Sequence, residues 1–134
     1  MPHLTLDHSP NLGPDADMPG LCRKLAQCLI SQRDGEGRQV YPTGGVRVRA
    51  FAADAWCIGD GAEYAHYVHA ALKVGAGRPE AILRATGDAL FEVIKAHFAS
   101  LYARSGLALS LEVGEFSEAG TWKHNNLHAR YRKP

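Results

Sequence analysis

The sequence predicts an α+β fold in which two β-α-β units form a four-stranded mixed sheet with two helices on one face. Strand-like and helix-like segments follow one another in the order strand, helix, strand, and this order occurs twice, over residues 2–51 and 64–116. The chain has 134 residues, the usual size of one domain, so residues 1–134 are taken as a single domain. Each unit is expected to be a right-handed parallel crossover.

The first unit opens with a strand over 3–8, where apolar and polar residues alternate. Asp15 or Asp17 can cap the helix that follows, and Pro19 suits its first turn. A strand over 46–51, in which valines alternate with arginines, completes the unit. The apolar face of the helix is expected to consist of Met18, Leu21, Cys22, Leu25, Cys28 and Leu29.

The second unit begins with a strand over 64–74 and a glycine-rich turn that ends at Pro79. One long helix is expected to start at Pro79 and to stop at Gly106, before a strand over 108–115. The tail from Glu118 has little pattern, and its last residues, from Arg130 on, are expected to be loosely ordered. The helix stripe is predicted at Ile82, Leu83, Leu90, Val93, Ile94, Phe98 and Leu101.

With both helices on one face, the other face of the sheet is left uncovered. Association of several subunits is the simplest way to cover it, so a homo-oligomer is expected.

The formal net charge of +1 gives no field that would attract nucleic acid or an anionic membrane. No apolar run is long enough to span a bilayer and no secretory signal is evident, so a cytoplasmic location is expected. Three cysteines without a C-x-x-C pair argue against a disulfide framework.

The start of the chain carries the main chemical feature, because proline directly follows the initiator methionine. Removal of Met1 before a small residue would leave Pro2 with a free secondary amine, a base and nucleophile that no internal residue supplies. The strand that follows would hold this amine in a fixed place. A proton-transfer base needs a pKa near the working pH, so the amine would require a site that lowers its pKa.

A resemblance to a known family is carried by eight short segments in order along the chain. The chain resembles the tautomerase superfamily, and more closely the 5-carboxymethyl-2-hydroxymuconate isomerases. An apparent insertion over 34–39 and a basic extension past Ala129 depart from the family pattern. The eight segments are Met1-Pro2-His3, Ala16-Asp17-Met18-Pro19-Gly20-Leu21, Gly45-Val46-Arg47-Val48-Arg49, Asp54-Ala55-Trp56, Leu72-Lys73-Val74-Gly75-Ala76-Gly77-Arg78, Leu90-Phe91-Glu92-Val93-Ile94-Lys95, Leu107-Ala108-Leu109-Ser110-Leu111-Glu112 and Lys123-His124-Asn125-Asn126.

The resemblance implies a tautomerase-like fold, assembled as a trimer or a larger ring, with no metal or organic cofactor. It implies ketonisation of a dienol acid from homoprotocatechuate (4-hydroxyphenylacetate) catabolism, so the partner is a small dicarboxylic or tricarboxylic acid. Pro2 is the implied base, and Arg47 and Arg78 the implied arginines that bind and polarise the substrate. Arg49 is a neighbouring substrate-binding candidate, and Trp56, with Phe51, is a candidate for the apolar wall.

Arginines suit this chemistry for two reasons. Their permanent charge repels a protonated amine and lowers its pKa, and a shift of two units corresponds to about 2.7 kcal/mol. Guanidinium groups also bind carboxylates in a bidentate manner and stabilise the oxyanion that develops as a dienolate forms.

Other readings of the same residues remain open. A haloacrylate dehalogenase or hydratase, or an oxo-acid decarboxylase, would use the same proline and arginines, and a non-catalytic oligomeric binding protein would leave the proline idle. Seven histidines raise the question of a metal, but His66 and His69 would face opposite ways on a strand, and His124 with His128 lacks a third ligand. We therefore expect no metal site.

Overall fold

The sheet of the computed structural model, which describes residues 1–132, has four strands in the order β2-β1-β3-β4. The strands are β1 (His3–His8), β2 (Arg47–Ala52), β3 (Ala65–Gly75) and β4 (Gly106–Phe116). β1 is parallel to β2 and β3 is parallel to β4, whereas the central pair, β1 and β3, is antiparallel. This arrangement confirms the predicted mixed sheet built from two parallel units.

Two long helices, α1 (Met18–Ile30) and α2 (Glu80–His97), cover one face of the sheet and contact each other. Apolar residues alternate along the strands, and those on the covered face are buried with the helix stripes in one core. The predicted inward face of β3, with Val68, Ala70, Leu72 and Val74, is therefore confirmed. Residues fully or almost fully buried in the core include Leu4, Leu6, Leu21, Leu25, Leu29, Leu90, Ile94 and Phe98.

The cap of α1 is Asp17, one of the two predicted candidates. Its side chain accepts a hydrogen bond from the backbone N–H of Gly20 at 3.0 Å, and its backbone is left-handed with φ 42°. A Cβ atom on Gly20 would collide with the Asp17 carboxylate. The Asp-x-x-Gly spacing thus allows the cap to close against the helix.

The prediction of one long helix ending at Gly106 is wrong in two respects. The helix breaks at Phe98, whose φ of −102° and ψ of 14° leave the helical region, and a short helix, α3 (Ala99–Arg104), follows. The break lets the buried Phe98 and Leu101 both reach the core. Gly106 is the first residue of β4, where a Cβ would lie 3.1 Å from the Tyr64 carbonyl oxygen, so this glycine allows a close strand approach.

The C-terminal tail contains a further short helix, α4 (Leu127–Tyr131), so Arg130 and Tyr131 are not part of a loose end as predicted. Lys133 and Pro134 lie outside the described residues. α4 packs against a 3-10 helix at Thr43–Gly45, just before β2. A Cβ on Gly44 would lie 2.7 Å from the backbone nitrogen of His128, so this contact requires glycine.

The uncovered face of the sheet is polar, because His3, Thr5 and Asp7 of β1 alternate with its buried leucines. Their partners across the sheet continue this character: Tyr67 donates a hydrogen bond to Asp7 at 2.6 Å, and the His69 ring lies 2.6 Å from the Ser110 hydroxyl. No helix within residues 1–132 is both long and apolar enough to cross a membrane.

Candidate active site

The N-terminus lies at the end of the sheet where β1 begins, between the start of β2 and the end of β3. His3 is paired with Arg47 of β2 on one side and with Lys73 of β3 on the other. Pro2 is buried, and its carbonyl oxygen accepts a hydrogen bond from the Arg47 backbone N–H at 3.0 Å. Met1 packs over Gly45, where a Cβ would approach its Cα to 3.4 Å. The start of the chain is therefore held by backbone contacts.

Arg47 is half-buried beside the N-terminus, and the turn before β2 fixes its side chain. Its Nη1 donates to the carbonyl oxygens of Gly44, at 2.8 Å, and Val46, at 3.3 Å. These bonds use only one nitrogen of the guanidinium group. The rest of the fork remains available for an anion.

Arg78 approaches the same place from the turn between β3 and α2. Its Nη1 donates to the carbonyl oxygen of Gly75 at 3.2 Å, and its Cζ lies 4.8 Å from the centre of the Tyr41 ring. Tyr41 is fully buried and its hydroxyl lies 2.8 Å from that of Thr86. Tyr41 could not be recognised from the sequence, because it stands outside every motif and its contact with Arg78 is long-range.

The electrostatic surroundings of the N-terminal amine favour its neutral form. Burial lowers the pKa of the Met1 amine below its usual value, and the charges of Lys123, Arg78 and Arg47 lower it further, while Glu118 opposes them. The structure thus brings the two predicted arginines, Arg47 and Arg78, to the amine. It adds Lys123 and Glu118, which were not predicted as site residues. Lys123 opens the last of the eight segments, which was the only signal for it.

Arg49 lies on the same strand as Arg47 but meets a different group. Its Nη1 is 3.2 Å from Nδ1 of His3, and its side chain is exposed. A guanidinium group can only donate, so the ring nitrogen facing Arg49 acts as the acceptor. Burial, then the charges of Arg49 and Arg47, lower the pKa of His3. Within one chain Arg49 adjoins the site without facing the amine, and its substrate-binding role remains a prediction.

The structure places the predicted apolar wall at the other end of the sheet. β2 leaves the N-terminus at Arg47 and ends at Ala52, roughly 17 Å away for a strand of this length. Trp56 lies beyond that end, in a recess with Asn11 and Cys57, and Phe51 is opposite Asp7 and exposed. Neither aromatic residue therefore reaches the amine of its own chain.

A cleft beside the N-terminus is formed where α4 meets the turn before β2. It is lined by Gln39, Thr43 and Gly44 on one side and by His128 and Tyr131 on the other. Gln39 ends the apparent insertion and donates a hydrogen bond to the Thr43 hydroxyl at 3.2 Å. Within the described chain, no three His, Cys, Asp or Glu side chains are grouped as a metal ion would require.

A sheet of two β-α-β units, with the N-terminus beside the half-buried arginines Arg47 and Arg78, defines a protein of the tautomerase class. Its sequence assigns it to one family within this class. The chain belongs to the 5-carboxymethyl-2-hydroxymuconate isomerase family, whose sequence profile matches residues 2–131.

Individual relatives agree with this assignment. A 5-carboxymethyl-2-hydroxymuconate Delta-isomerase of Escherichia coli is 37% identical over 132 residues, which are 98% of this chain and 100% of that protein. The crystal structure of a 5-carboxymethyl-2-hydroxymuconate isomerase from Deinococcus radiodurans R1 is 47% identical with a TM-score of 0.87, covering 98% of this chain and 95% of that one. Another crystal structure of a 5-carboxymethyl-2-hydroxymuconate delta-isomerase is 36% identical with a TM-score of 0.91, covering 100% and 95%.

More distant structures share the fold alone. One is N1, a member of the cis-3-chloroacrylic acid dehalogenase family, with 13% identity, a TM-score of 0.61 and coverage of 92% and 81%. The dehalogenase alternative is therefore not favoured over the isomerase.

Proposed function

We propose that this protein is a cofactor-free isomerase that ketonises 5-carboxymethyl-2-hydroxymuconate, with the Pro2 amine as general base after Met1 is removed. The observation that carries the proposal is the half-buried N-terminus beside Arg47, where burial and the charges of Lys123, Arg78 and Arg47 lower the pKa of the terminal amine. The family of the chain supports the choice of substrate.

The reaction requires only one proton to move. The amine takes the proton from the hydroxyl on C2, the oxygen lone pair forms the C2 carbonyl, and the double bonds shift along the chain of the substrate. The C4–C5 double bond then accepts the same proton from the ammonium at C5. The product is the 2-oxo-3-ene tautomer, and the amine is regenerated.

The proposed base depends on the same cations that bind the substrate. Burial, with the charges of Lys123, Arg78 and Arg47, lowers the pKa of the terminal amine. The free donors of Arg47 and Arg78 bind carboxylates and the oxygen on C2 as it gains negative charge. Because the guanidinium groups are held by backbone carbonyl oxygens before substrate arrives, little reorganisation is needed during the reaction.

We further propose a homotrimer in which a neighbouring subunit supplies the apolar wall. Support comes from the uncovered sheet face and from exposed aromatic residues. Phe51 is 56% exposed and Trp56 is 45% exposed, at an end of the sheet that cannot reach its own amine.

The free cysteines Cys22, Cys28 and Cys57 suit a reducing compartment, and we propose that the enzyme is cytoplasmic.

The test follows ultraviolet loss of the dienol with wild-type protein and with Pro2→Ala, after intact mass has established that Met1 is absent from both. Pro2→Ala replaces the secondary amine with a primary one, so its rate should fall toward the lower end of the about 10²–10⁴-fold that a positioned general base contributes, with an unchanged circular dichroism spectrum. Full activity in Pro2→Ala would defeat the proposal. An inactive wild type with a free proline would favour the binding-protein alternative, and chloride release from a haloacrylate would favour a dehalogenase.

A further inference from the structure

We propose that Lys123 is a third cationic residue of the active site, which binds the carboxymethyl carboxylate of the substrate, and that Glu118 positions it. The inference rests on the proposed function and names a specificity residue for it. Neither residue follows from the chemistry of ketonisation itself, which needs only a base and an oxyanion site.

The segment after β4 is built to return Lys123 toward the N-terminus. The Thr121 hydroxyl donates to the Ser117 carbonyl oxygen at 2.6 Å, and the Thr121 backbone N–H donates to that of Glu118 at 3.3 Å. This turn brings the Lys123 ammonium to the Glu118 carboxylate at 2.7 Å. Lys123 retains two further N–H donors and its side chain is 36% exposed, so it remains accessible to an anion.

Glu118 in turn is seated on the end of β3. A Cβ atom on Gly75 would collide with its carboxylate, and the carbonyl oxygen of the same glycine accepts a hydrogen bond from Arg78. Gly75 thus leaves room for the carboxylate that binds Lys123, and its carbonyl oxygen holds the guanidinium group of Arg78. The three charges form one cluster at the end of the sheet where the chain begins.

The charges of the substrate match this cluster. 5-Carboxymethyl-2-hydroxymuconate carries one carboxylate at each end of its chain and a third on the carboxymethyl arm at C5. One planar guanidinium fork suits the C1 carboxylate together with the C2 oxygen, and the other suits the C6 carboxylate. An ammonium is a point charge, which suits the carboxylate on the flexible C5 arm.

The location of Lys123 near the amine agrees with this assignment of its ammonium group to the arm on C5. Burial lowers the pKa of the Met1 amine most, the charges of Lys123, Arg78 and Arg47 lower it further, and Glu118 acts in the opposite direction. The amine must approach C5 to deliver the proton, and the Lys123–Glu118 pair, which adjoins Gly75 and its partner Arg78, lies at the same end of the sheet.

The test compares two dienols, the natural tricarboxylate and the same dienol without the carboxymethyl arm. For Lys123→Met we expect KM for the tricarboxylate to rise about 10–100-fold, the range for loss of a charge-assisted hydrogen bond, and KM for the armless dienol to change little. Lys123→Arg should restore most of the loss. The matched control is Lys95→Met, which removes a lysine held by Glu92 at the same 2.7 Å on the surface of α2.

The pH profile gives a second readout that a purely structural role would not move. The acidic limb of kcat/KM should shift to higher pH in Lys123→Met and to lower pH in Glu118→Gln, since the two charges act on the amine in opposite directions. Glu118→Gln should raise KM for the tricarboxylate by less than Lys123→Met does, because the ammonium is retained but loses the carboxylate that positions it. Thermal unfolding of each variant checks that the fold is retained.

Binding without turnover separates this inference from the proposed function. Calorimetric titration with adipate and with its 2-carboxymethyl derivative measures recognition of the arm even if ketonisation is absent. Selective loss of affinity for the tricarboxylate in Lys123→Met supports the inference. Equal losses for both probes, or a variant indistinguishable from Lys95→Met, would overturn it.

Discussion

The guanidinium group of Arg78 lies over the face of the Tyr41 ring, with 4.8 Å between its Cζ and the ring centre. Tyr41 belongs to the connection between α1 and β2, whereas Arg78 belongs to the turn before α2, so the contact joins the two β-α-β units beside the N-terminus. The ring is itself fixed by the Thr86 hydroxyl at 2.8 Å. An aromatic face stabilises a cation that is partly removed from water, which orients Arg78 before any substrate binds.

Two substitutions of Tyr41 should therefore distinguish the contribution of its aromatic ring from that of its hydroxyl. Tyr41→Phe keeps the aromatic face and leaves Thr86 bonded to the Ile82 carbonyl oxygen, so we expect a loss of about 1 kcal/mol of stability and little change in KM. Tyr41→Leu removes the face, and a cation–π term of about 0.5–2 kcal/mol predicts a rise in KM of several-fold or more. Steady-state kinetics and urea unfolding of both variants check this; equal KM values in the two would contradict it.

His3 should make the stability of the protein depend on pH. Because the folded state lowers the pKa of His3 below its ordinary value of 6.5, the folded protein binds fewer protons than the unfolded chain near that pH. The resulting stabilisation is present above pH 6.5 and is lost as the pH falls through the lower folded pKa. NMR titration of the His3 ring and urea unfolding at several pH values, with His3→Gln for comparison, measure it. A His3 pKa at or above 6.5 would contradict the prediction.

The cap of α1 gives a test of local structure away from the site. Asp17→Ala loses the hydrogen bond to Gly20 and puts alanine at a φ of 42°, so we expect a loss of about 1–2 kcal/mol in the free energy of unfolding. Asp17→Asn keeps an acceptor oxygen and tolerates this conformation, and should be nearly neutral. Chemical denaturation compares the two, and equal stabilities would show that the cap contributes nothing.

The cysteines should differ in reactivity. Burial raises the pKa of the Cys22 and Cys28 thiols, which are half-buried against the core, so little reactive thiolate is present on either at neutral pH. Cys57 is exposed. We expect iodoacetamide to modify Cys57 first, with Cys57→Ser as the control, and peptide mass analysis over time to detect it. Faster labelling of Cys22 or Cys28 would contradict the assignment of both to buried surroundings.

The elements that were predicted well are those whose pattern is local. Strand β1 was expected and found over residues 3–8, because alternating leucines have only one arrangement that buries them all on one face. Helix α1 has its capping residue, its early proline and its apolar stripe within one short segment. The break at Phe98 was missed because the apolar spacing continues through it to Leu101, and only packing against the core requires the backbone to turn.

The site was predictable only in part, for a related reason. Pro2, Arg47 and Arg78 carry chemistry that can be recognised in a sequence. Strand pairing brings Arg47 to the N-terminus, and the turn after β3 brings Arg78. Lys123 and Glu118 are more than a hundred residues from Pro2, and their approach depends on where β4 ends. Trp56 was expected in the wall of the site, but β2 runs away from the N-terminus and carries it to the opposite end within one chain.

The proximity of the first residues to α4 has a consequence for re-engineering the chain order. Met1 packs on Gly45 and α4 packs on Gly44, so a short linker could run from the end of α4 to Pro2, and the loop around Asp60 offers an exposed place to open new ends. Such a circular permutant would keep every strand pairing of the parent. Its proline nitrogen, however, would lie within an ordinary tertiary amide that has no basicity, so it should fold normally and turn over no substrate.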